Sequence, residues 1–124
     1  MIGKIYTSLV PFYNIIERKH MVKARPVLII SDIRNNDYTI LPVSTVSKRA
    51  NLDKEFDIEL NPLKYPALKI DHTSYVRTHK QMTIHKGELG KEISDLKTNY
   101  PKLFLQIMSK RAEWNKKIDD EALN

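Results

Sequence analysis

Five residues of this 124-residue chain carry side chains suited to a single reaction: Arg25, Ser44, Thr45, Arg77 and His79. Cutting RNA without a metal needs a base for the 2′-hydroxyl proton. It also needs cations for the charge that builds on phosphorus and a donor for the departing 5′-oxygen. A histidine, two arginines and a pair of hydroxyls supply those parts. Each residue also has a plainer reading. An arginine is commonly a solvated charge, and "STVSK" is commonly a strand end. Only position groups them: all five fall at the ends of predicted strands, where loops gather. Arg25 has a further structural alternative, an ion pair with Asp32 or Glu17.

Other chemistries fit less well. The chain has no cysteine, which removes disulfides, thiolate metal sites and thiol nucleophiles together. His72, His79 and His85 lie seven and six residues apart beside Asp71, which matches no paired-histidine zinc pattern. No metal and no cofactor is therefore expected. Ser31 follows a strand but stands in no G-x-S-x-G elbow. With three glycines in all, there is no phosphate-cradling glycine loop. No apolar run approaches the roughly 20 residues that cross a bilayer, and the start "MIGKIYTSLVPF" lacks a secretory leader's apolar stretch, so a cytoplasmic protein without a membrane partner is expected.

The formal charge of +6 favours a polyanionic partner, and its distribution sharpens the point. Arg18, Lys19, His20, Lys23 and Arg25 form one cluster, Lys48 and Arg49 a second, and Arg77, His79 and Lys80 a third. Around the five reactive candidates, Arg18, Lys19, His20, Lys23, Lys48, Arg49 and Lys80 are the candidate RNA-binding residues.

The elements that must position these residues read as strands first and helix last. A length of 124 residues suits one domain with a single core. "KIYTSLV" (4–10) alternates as a strand, and "PFYNIIERKHMVKA" reads as a long loop broken by Pro11, with 12–22 as a lid or wall. Residues 26–31 form an apolar strand buried on both faces, with Pro26 at its first position holding Arg25 extended. "DIRNND" is a turn in which Asn35 and Asn36 can take positive φ, and "YTILPVST" returns antiparallel. "EFDIEL" alternates as a fourth strand, and "TSYVRTHKQMTI" supplies one or two more. Leu89, Ile93 and Leu96, spaced by four and three, predict a short helix or helical turn. "NYPKLFLQIMSKRAEWNKKID" predicts the main helix, capped by Asn99 or Thr98, with Phe104, Ile107, Met108, Arg111 and Ile118 on one face. The expected architecture is mainly β: a small, strongly curled antiparallel sheet or barrel with a C-terminal helix packed on it.

These segments resemble a known family. "KARPVLIIS" resembles the K-x-R-P signature of the MazF/PemK (Kid-like) toxins of bacterial toxin–antitoxin systems. "ILPVSTVSK" is similar to that family's next strand, which ends in adjacent hydroxyls, and "SYVRTHKQMTIHKGEL" to its following block. "GKIYTSLVPF" fits its opening, and the blocks stand in the family's order.

The resemblance implies an SH3-like or CcdB-like β-barrel with a C-terminal helix over a single domain, 1–124. It implies a homodimeric, sequence-selective endoribonuclease that cuts single-stranded RNA without metal, leaving 2′,3′-cyclic phosphate and 5′-hydroxyl ends. It further implies a cognate antitoxin with an acidic C-terminal tail, through which alone the toxin would meet DNA. The family's arginine of the R-P pair matches Arg25, its strand-end hydroxyl Ser44 with Thr45 beside it, and the arginine of the Kid branch Arg77. The aspartate of that branch is replaced by His79, and the expected Q-I-R reads Lys80-Gln81-Met82. On strand alternation, Arg77 and His79 should flank one phosphate, and of the two hydroxyls Ser44 should face the substrate. The competing readings are a binding-only toxin like the gyrase poison CcdB, using helix residues such as Trp114, and a catalytically silent nucleic-acid-binding module.

Overall fold

A computed structural model of the chain describes residues 1–45 and 49–124, with the backbone alone at Arg49. Seven antiparallel strands and a C-terminal helix make the fold: β1 Lys4–Asn14, β2 Lys19–Ile29, β3 Asp37–Ser44, β4 Asp57–Leu60, β5 Ser74–Arg77, β6 Met82–His85 and β7 Leu89–Asp95. A short helix, α1 Leu96–Asn99, leads into the long α2, Pro101–Leu123. The strands lie in the order β4-β5-β3-β2-β1-β7, and β6 pairs with the first half of β3. The expected mainly β, antiparallel architecture with a C-terminal helix is found; the end strands β4 and β7 do not pair with each other, so among the described residues the sheet is open and branched.

The hairpin of β1 and β2 is longer than the sequence suggests. Its register runs from Ile5↔Leu28 to Asn14↔Lys19, so the expected loop at 12–22 is mostly paired strand. Pro11 does not break β1, because β7 accompanies β1 only as far as Ser8↔Leu89. Beyond that point β1 is an edge strand, where a missing N–H is tolerated. Pro26 likewise does not begin β2. It is the last residue before β3 joins at Val27↔Pro42.

The end of β2 (Val27, Leu28 and Ile29) and most of β3 are buried on both faces, as a run of consecutive apolar residues requires. Leu28, Leu41 and Val43 face one core with Ile5, Ile58 and Val76, and α2 covers it with Leu103, Phe104 and Ile107. Val27, Ile29 and Ile40 face a second cluster with Val10, Tyr38 and Ile84. Each such side chain withdrawn from water is worth about 1.5–3 kcal/mol. The turn between β2 and β3 places Asn35 and Asn36 at φ 51° and 65°, as expected, and the Ser31 hydroxyl accepts from the Thr39 N–H at 2.9 Å.

Two helix expectations are corrected. Residues 89–95 are strand β7, whose two register shifts against β1 put Leu89 on the second cluster and Ile93 on the first. The main helix starts at Pro101 with no side-chain cap, because the Asp95 carboxylate caps α1 instead, accepting from the Thr98 N–H at 3.0 Å. The buried stripe on α2 fades before Ile118, which is exposed. No helix among the described residues is long and apolar enough to cross a membrane.

Candidate functional site

The site lies where the sheet forks. β2 leaves β3 after the rung Val27↔Pro42, while β3 continues for two residues paired only with β5. Arg25 stands one turn of the alternation before Val27 and shares its face. Its side chain therefore leaves the sheet just where the second apolar cluster ends. It spans the fork and donates from Nη1 to the Ser44 hydroxyl at 2.9 Å. The guanidinium lies 5.7 Å from the ring of Phe12 on β1, an aromatic support of the cation–π kind. Its Nε is buried with no acceptor. Neither Asp32 nor Glu17 pairs with it among the described residues; Glu17 pairs with Lys19 at 3.4 Å. The structural ion pair considered for Arg25 is therefore not the arrangement found.

An open groove of about 790 Å³ runs along this fork, and Arg25, Ser44, Thr45, Arg77 and Lys80 all line it. Its opposite wall is apolar, built from Phe12, Tyr13 and Ile15 of the β1–β2 hairpin. A second hollow, about 280 Å³, lies across the Arg25–Ser44 link and is lined by Lys23, Lys69 and His72 together with Arg25, Ser44 and Thr45. Ser44 and Thr45 border both hollows. β3 ends at Ser44, so strand alternation does not fix the direction of Thr45.

Arg77 is held from behind. Asp57 of β4 lies directly opposite it in the register. The Asp57 carboxylate accepts from Arg77 Nε at 3.1 Å and Nη2 at 3.3 Å, and Nη2 also donates to the Asn51 carbonyl at 3.1 Å. The Asp57 side chain is fully buried, and it takes a further hydrogen bond from the Asp53 N–H at 2.8 Å. A buried carboxylate is tolerated when paired and hydrogen-bonded in this way, and breaking such a pair typically costs about 3–5 kcal/mol.

His79 does not join Arg77 in the groove. β5 stops at Arg77, and the chain turns, closed by the Lys80 N–H on the Arg77 carbonyl at 3.1 Å. After this turn Arg77 lines the groove and His79 does not. The imidazole sits under α2, with its ring centroid 6.2 Å from that of Phe56 and 5.9 Å from that of Trp114. Its Nδ1 is 3.7 Å from Asp57 Oδ1 and its Nε2 3.9 Å from Asp53 Oδ2. Burial lowers its pKa below 6.5, and the nearby carboxylates of Asp57 and Asp53 offset this only in part. Burial would raise the pKa of Asp53, but N–H donors from Phe56 and Glu55 outweigh it and hold the carboxylate below its usual range. Trp114 packs edge-on against Phe56 at 5.1 Å, so it is not the free helix residue that a CcdB-like contact requires.

The seven basic candidates divide. Lys80 and Lys23 line the two hollows. Arg18, Lys19 and His20 stand at the far end of the hairpin. Lys19 is six residues up the strand from Arg25, roughly 20 Å at the usual rise. Lys48 lies outside the described residues, and Arg49 is placed in a short 3₁₀ turn, Arg49–Asn51, by its backbone only. Sequence reasoning missed Phe12, Asn51, Asp57, His72 and Gln81. The opposed charges of "EFDIEL" and "SYVRTH" were the available signal for Asp57. Gln81 lines the groove with its carbonyl already taken by Arg111 Nε of α2, which leaves its amide N–H₂ to face outward.

Two solved structures share this fold. One is a Mycobacterium tuberculosis toxin, MazF-mt6, 20% identical over 86% of this chain and 94% of that one, with a TM-score of 0.56. The other is an endoribonuclease in complex with its cognate antitoxin from a mycobacterial species, 18% identical over 94% of this chain and 92% of that one, at 0.62. No curated protein matches. The family described as PemK-like, MazF-like toxins of type II toxin–antitoxin systems matches residues 3–103, from the start of the sheet through the first turn of α2, and the chain belongs to that family.

Proposed function

We propose that this chain is the endoribonuclease toxin of a type II system, acting in the cytoplasm on single-stranded RNA. One observation carries the reading: Arg25, Ser44, Thr45 and Arg77, from three different strands, border one open groove at the fork. In this reading the RNA phosphate rests between the two guanidinium groups. The 2′-oxygen attacks phosphorus, its proton passes to a base, the P–O5′ bond breaks, and the 5′-oxygen takes up a proton. The products are a 2′,3′-cyclic phosphate and a 5′-hydroxyl. Arg25 and Arg77 stabilise the charge on the phosphorane, and a hydroxyl of Ser44 or Thr45 orients a non-bridging oxygen.

We assign the base to His72 rather than to the expected His79. His72 lines the hollow that Arg25, Ser44 and Thr45 share, whereas His79 lines neither hollow. The apolar wall of Phe12 and Tyr13 suits stacking of bases beside the cut. A homodimer is the functional unit, and an antitoxin with an acidic tail competes for the basic groove. The toxin meets DNA only through that antitoxin.

The test is a defined single-stranded RNA incubated with purified protein in excess chelator. Discrete fragments with 5′-hydroxyl ends are expected, and a 2′-deoxy sugar at the mapped cut should leave the strand whole. His72→Asn should slow cleavage about a hundredfold or more, while His79→Asn should leave the rate per folded molecule within a fewfold of wild type. Intact RNA with retarded mobility would instead identify a nucleic-acid-binding module without catalysis.

A further inference from the structure

Arg77 cannot be aimed by its own strand. It is the last residue of β5, next to a turn, and its side chain is long and rotatable. What fixes it is the partner across the ladder. Asp57 grips Nε and Nη2 together, and this two-point contact sets the plane of the guanidinium. The Asn51 carbonyl takes a second hydrogen from Nη2. The remaining nitrogen, Nη1, makes no hydrogen bond among the described residues, and Arg77 lines the groove. Asp57 is itself locked by the Asp53 N–H and by complete burial, so the assembly is rigid. It also has His79 behind it, 3.7 Å from Oδ1 and too poorly placed for a good hydrogen bond.

We propose that Asp57 is a positioning residue of the RNA-cleaving groove: it holds the Arg77 guanidinium in the one orientation that presents Nη1 to the phosphate. The carboxylate touches no substrate. It acts through Arg77 alone, so its effect should appear in turnover and be absent once Arg77 is gone. This inference rests on the endoribonuclease reading.

The experiment uses a short RNA spanning a cut mapped on a longer strand, with single-turnover rates, apparent KM and melting temperature measured for five proteins. These are the wild type, Asp57→Asn, Arg77→Ala, the double variant, and Arg77→Lys. Asp57→Asn keeps the shape but gives up the charge and one acceptor. It should slow cleavage at least tenfold while KM changes less than about threefold, because other cations still hold the strand. In the Arg77→Ala background the same change should add nothing. Arg77→Lys leaves Asp57 a cationic partner and so protects the fold, but an ammonium has no plane to orient. It should melt like the wild type and cleave no faster than Arg77→Ala. The inference is overturned if Asp57→Asn only lowers the melting temperature, if its effect multiplies with that of Arg77→Ala, or if Arg77→Lys restores the rate. A wild type that cuts no RNA defeats the endoribonuclease reading, and this inference with it. A wild type that cuts, beside an Arg77→Ala variant that does not and an Asp57→Asn variant that cuts at the wild-type rate, defeats this inference alone.

Discussion

Replacing Arg25 by alanine should separate chemistry from stability, because the structure gives this cation little to do in the fold. It has no carboxylate partner among the described residues, one hydrogen bond to Ser44, and one contact with the Phe12 ring. The hydrogen bond contributes about 0.5–1.5 kcal/mol net and the ring contact about 0.5–1. Against this, removing a half-buried guanidinium whose Nε is unsatisfied relieves a desolvation cost. The net loss should be about 1 kcal/mol, which for a domain of this size lowers Tm by roughly 4 °C. The reaction should suffer more. A preorganised donor aimed at developing charge is worth about 10²–10³ in rate. Single-turnover cleavage of a mapped RNA, run well below the variant's melting temperature, should therefore fall at least a hundredfold. Arg25→Lys should recover less than tenfold, since an ammonium cannot reach across the fork to Ser44 and also contact a phosphate. A large drop in melting temperature with an unchanged rate per folded molecule would refute the reasoning. It would mean that Arg25 braces the fork and does not serve the substrate.

Ser44→Ala and Thr45→Ala should behave differently although both hydroxyls line the groove: the first frees the Arg25 guanidinium and should cost about tenfold or more in rate, the second should act mainly on the substrate affinity of the exposed rim, and equal profiles in kcat and KM would defeat this division. Burial lowers the pKa of His79 in the folded protein, whereas the unfolded chain takes up its proton near pH 6.5. Its contribution to stability is thus complete above 6.5 and is lost as the pH falls below it, so Tm should drop between pH 7.5 and 5.5, and His79→Gln should flatten that slope; an unaltered slope would assign it to other groups. RNA affinity should weaken with salt at a slope of about −2 on logarithmic axes, which corresponds to about three phosphates for the groove-lining cations, and a flat response would contradict a basic groove.

Local signals made the central hairpin of β2 and β3 legible. The run Val27–Ile30, the Asn35–Asn36 turn and the alternation in "EFDIEL" each carry their structure within a few residues, and so does the apolar stripe of α2. Arg25, Ser44 and Arg77 were legible as a set because strand ends converge in a small sheet. The failures share one cause. Whether Pro11 breaks a strand depends on how far a distant partner, β7, accompanies it. Leu89 and Ile93 fit either period until the pairing with β1, with its two register shifts, decides for a strand. His79 looked paired with Arg77 because nothing near it announces the turn after β5. Asp57 occupies a polar position in the alternation of "EFDIEL". Its role needs the rung Asp57↔Arg77, and such long-range registers are not written in either segment alone.

The strand order has a consequence for how the protein is made. β1, the first strand to leave the ribosome, sits between β2 and β7, and β7 is the last strand to emerge. At synthesis rates of about 5–20 residues per second, the roughly eighty residues between Ser8 and its partner Leu89 take several seconds to arrive. Throughout that interval the outer edge of β1 is an unfilled row of donors and acceptors. The groove is later still than the first hairpin, for it needs Arg77 as well as Arg25. In the proposed endoribonuclease reading, a nascent chain surrounded by the messenger that encodes it has no complete groove until Arg77 has emerged and paired. Under that reading the topology sets a delay between translation and activity, and the same delay would give an already synthesised antitoxin time to meet the chain.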